Sequence, residues 1–172
     1  MFLLNEEWFN PIWELLESCK GVEQHPIFHP EGDVFNHSIQ VFAKAQREVD
    51  NFDILLACLL HDVGKRVIGH GHEKESVKLV ASLHCASNKV LWLVEHHMRF
   101  WDWVSGEMNG WKKSKYLSEH PWLGELACVC RFDGMGRAPF WTGVDKWTKE
   151  VVFERLDRAE AWRFMDIHAS KI

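Results

Sequence analysis

The chain has 172 residues, 47% of them hydrophobic and 26% charged, and a formal net charge of −5. This balance excludes a disordered or collagen-like chain, and no apolar run approaches the roughly 18 residues of a membrane helix. The negative charge argues against a partner as large as long nucleic acid, but not against a small phosphorylated ligand in a locally basic pocket.

In chain order, Asn10-Pro11 predicts the opening of a first helix, with Asn as N-cap and Pro at the first helical position. Ile12, Leu15, Leu16 and Cys19 follow at helical spacing, and Gly21 ends the helix. Residues 22–32 hold Pro26, Pro30 and Gly32 and read as a loop. A second helix is predicted from Asp33 to Val49, with Val34, His37, Val41 and Ala45 on one face. A third, from Phe52 to Asp62, is apolar almost all round, which places it in the middle of the fold. It stops at Gly64. A fourth covers 72–84 with Val77, Val80 and Leu83 inward. Ser87 caps a fifth, on which Val90, Val94 and His97 share a face. Residues 101–119 have no clean period and contain Gly106 and Asn109-Gly110, so a long irregular loop is expected there, of the functional or mobile kind. Pro121 opens a further helix with Leu126, Val129 and Asp133 on one face, broken by Gly134 and Gly136. A last helix is predicted from Asp145 to His168. No strand pattern appears, so the expected fold is all-α, a compact bundle of about six to eight helices forming a single domain over residues 1–172.

Two residue types stand out: 11 histidines and 10 tryptophans, beside one tyrosine. The five cysteines (Cys19, Cys58, Cys85, Cys128 and Cys130) are odd in number and form no C-x-x-C. Met1 to Glu7 lacks the basic and apolar regions of a signal peptide. Reduced thiols and a cytoplasmic location are therefore expected. The histidines carry the sharper message. His61-Asp62 terminates the most apolar helix, where burying both groups costs several kcal/mol unless they are paired or hold a metal. His37, His97 and Asp133 each lie on the apolar face of their own helix. Four helices thus point an imidazole or carboxylate inward, and one or two metal ions between them explain this best.

These residues resemble a known family. His37, His61-Asp62 and Asp133 match the H…HD…D signature of the HD-domain superfamily, which consists mostly of metal-dependent phosphohydrolases. Five segments resemble, in order, the HD domain of bacterial CCA-adding tRNA nucleotidyltransferases. His29-Pro30-Glu31-Gly32-Asp33-Val34 with His37 is similar to HPEGDV…H. Leu59-Leu60-His61-Asp62-Val63-Gly64-Lys65 is similar to LLHDxGK, and Gly71-His72-Glu73 to GHE. Leu93-Val94-Glu95-His96-His97-Met98 is similar to LVxxHM, and Asp133-Gly134-Met135-Gly136-Arg137 to DxxGR. The resemblance runs from His29 to Arg137, with an N-terminal helix and a Trp-rich C-terminal helix expected to pack on that core.

The resemblance implies that His37, His61, Asp62 and Asp133 hold a divalent ion (Mn, Mg, Ni, Co, Zn or Fe). Asp62 has two oxygens and is suited to bridge to a second ion, for which His72 and His97 are the candidate ligands. Asp62, Lys65 and Arg137 are the expected catalytic residues, the two cations neutralising phosphate charge. Water activated by an ion would attack phosphorus in line. His96 neighbours His97 on its helix, points about 100° away and is expected to line the pocket. Lys112, Lys113 and Lys115, with Trp103 and Trp111, would form a lid for a base and phosphate. His25, His29, His84, His120 and His168 receive no role.

The expected activity is hydrolysis of a nucleotide or other small phosphoester, as a phosphatase, 2′-nucleotidase or 2′,3′-cyclic phosphodiesterase. No long nucleic acid and no membrane is expected as a partner. Only one helix precedes the motif-bearing core in this sequence, so nucleotide addition to tRNA is not expected. Two alternatives are an HD-type di-iron oxygenase and a non-catalytic nucleotide-binding module.

Overall fold

In the computed structural model, which describes residues 5–83, 86–139 and 141–169, helix α1 spans Glu6–Glu17. It begins before the Asn10-Pro11 start expected from sequence. Asn5 is the cap, accepting from the Glu7 amide at 2.8 Å, and Pro11 sits inside the helix. Tertiary packing outweighs the proline here. The extra N-terminal turn lays Trp8 against Phe52 and Phe9 against Phe153, with centroids 5.7 and 5.5 Å apart. A mid-helix proline costs about 3 kcal/mol, and burying one large apolar side chain returns about 1.5–3 kcal/mol.

The 22–32 loop follows as expected, closed by one antiparallel bridge between Glu23 and Asp33. Asp33 joins two tasks: it caps α2 (Val34–Ala45) through the Asn36 amide and accepts from the Gly21 amide. Helix α3 (Phe52–Leu60) is capped by Asn51, and each of its residues is buried. It packs on α2, on α5 (Asn88–Val104), on α7 (Leu123–Met135) and on α8 (Lys149–Ala169). This is the central helix that its all-round apolar sequence demands. A 3₁₀ turn, Val63–Arg66, leads toward α4 (His72–Ser82), which packs on that turn and on α5. Helix α8 also touches α1, burying Val152, Phe153, Leu156 and Ala159. Among the described residues the fold is all-α.

Residues 101–119 are not the irregular loop expected. Helix α5 continues to Val104, and Trp111–Ser118 forms α6. Only Leu117 of α6 is buried, so the segment shows no apolar period to read. Hydrogen bonds hold it instead: Trp103 Nε1 donates to Ser114 Oγ and Trp92 Nε1 to Tyr116 Oη, each at 3.1 Å. Helix α7 runs through Gly134 and ends at Gly136, and α8 begins later than expected, after a 3₁₀ turn at Val144–Lys146. Cys19, Cys58, Cys128 and Cys130 carry free thiols; His84 and Cys85 lie outside the described residues. No helix among the described residues is long and apolar enough to cross a membrane.

Candidate metal centre

Five helices bring the predicted ligands to one point. His37 comes from α2, His61 and Asp62 from the end of α3, His72 from the first residue of α4, His97 from α5 and Asp133 from α7. None of these side chains is more than slightly exposed. They form two groups that meet at Asp62. Asp62 Oδ2 lies 3.6 Å from His37 Nε2 and 3.4 Å from His61 Nε2, and Asp133 Oδ1 lies 3.1 Å from His37 Nε2. Asp62 Oδ1 faces the other way, 2.9 Å from His72 Nε2 and 3.5 Å from His97 Nε2.

The outer nitrogens decide how the rings present themselves. His61 Nδ1 donates to the Cys58 carbonyl, His72 Nδ1 to Gly69 and His97 Nδ1 to Val94, at 2.9, 2.9 and 2.7 Å. His37 Nδ1 donates to Glu31 Oε1 at 2.6 Å. A neutral ring that donates from Nδ1 presents a bare lone pair at Nε2. Yet His37 and His61 bring Nε2 within 3.3 Å of Nε2, and so do His72 and His97. Two lone pairs at that distance repel unless a proton or a metal cation lies between them. The donor set fits divalent ions, with imidazole and carboxylate groups converging and outer hydrogen bonds of the usual kind.

The electrostatics agree. Burial opposes a charged His37, but the Asp133 and Glu31 carboxylates outweigh it and push its pKa up to about 9. Burial drives His61 down to about 3. Burial also opposes the charged carboxylates of Asp62 and Asp133, but surrounding histidines, joined at Asp62 by Lys65, hold both well below the ordinary range. The cage thus carries a negative field that a proton on His37 or a metal cation can answer, and ligand deprotonation couples to metal binding.

Two glycines let the helices close. A Cβ on Gly64 would stand 2.1 Å from the His72 carbonyl oxygen and 2.5 Å from the Ser76 amide nitrogen, and the Gly64 amide donates to Ser76 Oγ. A Cβ on Gly136 would stand 2.3 Å from Val41 Cγ2. Both glycines allow a close approach that any side chain would block.

A cavity of about 580 Å³ opens onto Asp62, His72, His97 and Asp133. Lys65 and Arg137 line it, as expected, but neither cation is loose. Lys65 Nζ donates to Asp62 Oδ2 and Gln24 Oε1, both at 2.6 Å. Arg137 Nη2 reaches both oxygens of Asp133, at 3.1 and 3.2 Å. Among the described residues, two buried donors of side chains that line this cavity, Gln24 Nε2 and Arg137 Nε, have no hydrogen-bond partner. Trp101, whose Nε1 donates to Asp133 Oδ2 at 3.3 Å, stands partly exposed at the mouth.

The 22–32 loop supplies residues that sequence reasoning passed over. Glu31 accepts from His37 and also from His29 Nδ1 at 2.9 Å, and these two contacts outweigh its burial to lower its pKa to about 2. His29 Nε2 lies 3.3 Å from Lys65 Nζ. The chain from His37 through Glu31, His29 and Lys65 to Asp62 closes a ring around the first ligand group. The signal was present in His29-Pro30-Glu31, but nothing local says that this loop folds back onto α2 and the 3₁₀ turn. Glu31→Gln is expected to weaken divalent-metal binding by about 10–100-fold, the usual cost of losing an outer-sphere partner. Isothermal titration with Mn²⁺ and Zn²⁺ checks this, and unchanged affinity would remove Glu31 from the site.

Two expectations need correction. The lid does not form: Lys112 and Lys113 of α6 line a different cavity, and none of Trp103, Trp111 or Lys115 borders the metal cavity. Helix α6 is held beside the outer face of α5 by the Trp103 and Trp92 hydrogen bonds. His96 also faces away from the cage, with its ring stacked on Trp92 at 4.4 Å and its Nδ1 donating to the Trp92 carbonyl.

Comparison with known proteins adds two findings. The HD domain family profile matches residues 34–135. Over 75 residues the chain is 39% identical to a multifunctional CCA protein of Thioalkalivibrio sulfidiphilus (strain HL-EbGR7), covering 40% of this chain and 18% of that one. It is 36% identical over 91 residues to a multifunctional CCA protein of Aromatoleum aromaticum (strain DSM 19018 / LMG 30748 / EbN1), covering 44% and 22%. The corresponding protein of Hahella chejuensis (strain KCTC 2396) is 34% identical over 79 residues, covering 42% and 19%. The chain spans about a fifth of the length of these curated relatives.

Proposed function

The chain belongs to the HD domain family, and from that premise we propose that it is a metal-dependent phosphohydrolase acting on a nucleotide or similar small phosphoester. The observation that carries this reading is Asp62, whose two oxygens face two separate histidine groups at the foot of an open cavity. His37, His61, Asp62 and Asp133 would hold one divalent ion, and Asp62, His72 and His97 a second. Ions held there would make a water nucleophilic at neutral pH and offset phosphoryl charge.

The chain's own residues supply the rest. Lys65 and Arg137 neutralise the carboxylates and keep positive charge at the cavity edge. The candidate ligands are little exposed, which strengthens the charge interactions among them.

The di-iron oxygenase alternative uses the same ligand set, so iron content and O₂ consumption separate the two. Lys65 and Arg137 on the cavity wall favour a phosphate-bearing substrate. The decisive experiment purifies the protein without chelator, measures its metals and assays phosphate release from 2′-, 3′-, 5′- and cyclic nucleotides. Turnover that is lost on chelation and restored by Mn²⁺, Mg²⁺, Co²⁺ or Ni²⁺ is expected. No turnover with any of these ions would overturn the proposal.

A further inference from the structure

A second cavity, of about 460 Å³, lies on the other side of α5, and its size suits a small molecule. His96 and His97 are neighbours on that helix, and each faces a different cavity. Helix α6 forms the opposite wall. Arg99, Lys112 and Lys113 line this space together with Asp102 and Glu107. Among the described residues none of these five makes an ion pair, although Lys115, nearby on α6, pairs with Glu119 at 3.7 Å. Opposite charges that face one cavity without pairing leave room between them for a ligand that meets both.

Three features favour an anion at the basic side. The cations outnumber the acids on a chain whose net charge is −5. Lys112 and Lys113 belong to the first turn of α6; the Lys113 and Ser114 amides turn back to the Gly110 carbonyl, and among the described residues the Trp111 and Lys112 amides have no partner. Those amides and the helix dipole add to the positive potential of the lysines. Arg99 spends one contact on His96 Nε2, at 3.4 Å, and keeps its remaining donors for a ligand.

The back of the cavity is a stack of rings. His96 stacks on Trp92, and Trp92 stacks on His120 at 3.8 Å with planes 11° apart. Tyr116 Oη accepts from Trp92 Nε1, which leaves its own proton free to donate toward the cavity.

We propose that this cavity is a second ligand site, which takes a small phosphorylated compound bearing hydroxyl groups. The phosphate would lie on Arg99, Lys112 and Lys113, and the hydroxyls would donate to Asp102 and Glu107. The site stands apart from the metal cage and does not depend on the reaction catalysed there.

The test is an NMR titration of the 172-residue chain, stripped of metal with EDTA and then dialysed, with ribose 5-phosphate, in the wild type and in Asp62→Asn. Saturable shifts of amides in residues 96–113 are expected in both. Lys112→Ala/Lys113→Ala, which changes only exposed side chains, is expected to bind about 10-fold more weakly or worse. Inorganic phosphate should bind more weakly than ribose 5-phosphate to the wild type, and Asp102→Ala/Glu107→Ala, which removes both acceptors, should narrow that difference; an undiminished preference would overturn the hydroxyl contacts. The proposal is overturned if no saturable shift occurs, if the shifts centre on His72 and His97 instead, or if the double lysine variant binds as tightly as the wild type.

Discussion

Asp62→Asn is expected to empty both proposed ion positions at once and to reduce phosphoester turnover well beyond the 10–100-fold typical of an outer-sphere change. The substitution preserves the shape of the side chain. It removes the negative charge shared by the two ligand groups, and an amide nitrogen replaces an oxygen that faces imidazole nitrogens within 3.6 Å. His72→Ala provides the contrast. It touches only the Asp62, His72 and His97 group, so it should leave an ion on the His37, His61 and Asp133 side. Metal content per chain by mass spectrometry reads both variants, and circular dichroism reports whether the helices persist. Equal metal loss in the two variants would mean that the groups are not separate positions.

Gly64→Ala is expected to be the most damaging change outside the ligands. Its new methyl group would overlap the His72 carbonyl and the Ser76 amide. Both are backbone atoms at the start of α4, so no rotamer change relieves the clash, and α4 must move away from the 3₁₀ turn. Overpacking of a closed contact costs about 1–3 kcal/mol and more where backbone must shift. At about 2–4 °C per kcal/mol for a chain of this size, a fall in Tm of about 6–12 °C is expected at 3 kcal/mol. Because His72 heads α4, loss of the second ligand group should accompany it. Gly134→Ala is the control. Its methyl would meet only the edge of the Trp101 indole, at 3.7–3.8 Å, and alanine improves the α7 backbone by about 1 kcal/mol. Calorimetry of the two variants should therefore show opposite signs, and a Gly64→Ala protein as stable as wild type would refute the close contact.

The candidate ligand cluster was legible because its polar residues stand where helical periodicity demands apolar ones. His37 among Val34, Val41 and Ala45, and Asp133 among Leu126 and Val129, are anomalies that a single chain reveals. So is a polar pair ending α3. The central position of α3 followed from its composition for the same reason. What could not be read were features set by partners distant in sequence. The start of α1 depends on Phe52 and Phe153, which Trp8 and Phe9 meet across the fold. Helix α6 depends on indole hydrogen bonds from α5, not on an apolar stripe of its own. Glu31 and His29 look like ordinary loop residues until Asp33 ties the loop down at Gly21 and α2. The tryptophans divide between these roles: Trp92 and Trp103 anchor α6, Trp101 reaches Asp133, and Trp147 packs edge-on against Phe42.

The outer hydrogen bonds of the histidines have an energetic consequence. His61, His72 and His97 each bond to a carbonyl three residues earlier in the chain. The aim of each ring is therefore fixed by its own turn of backbone, while the packing of helices fixes only the distances between rings. Freezing a side chain ordinarily costs conformational entropy at the moment a ligand binds. For these three rings that cost falls on folding instead, so an arriving ion meets nitrogens already aimed and keeps more of its coordination energy as affinity.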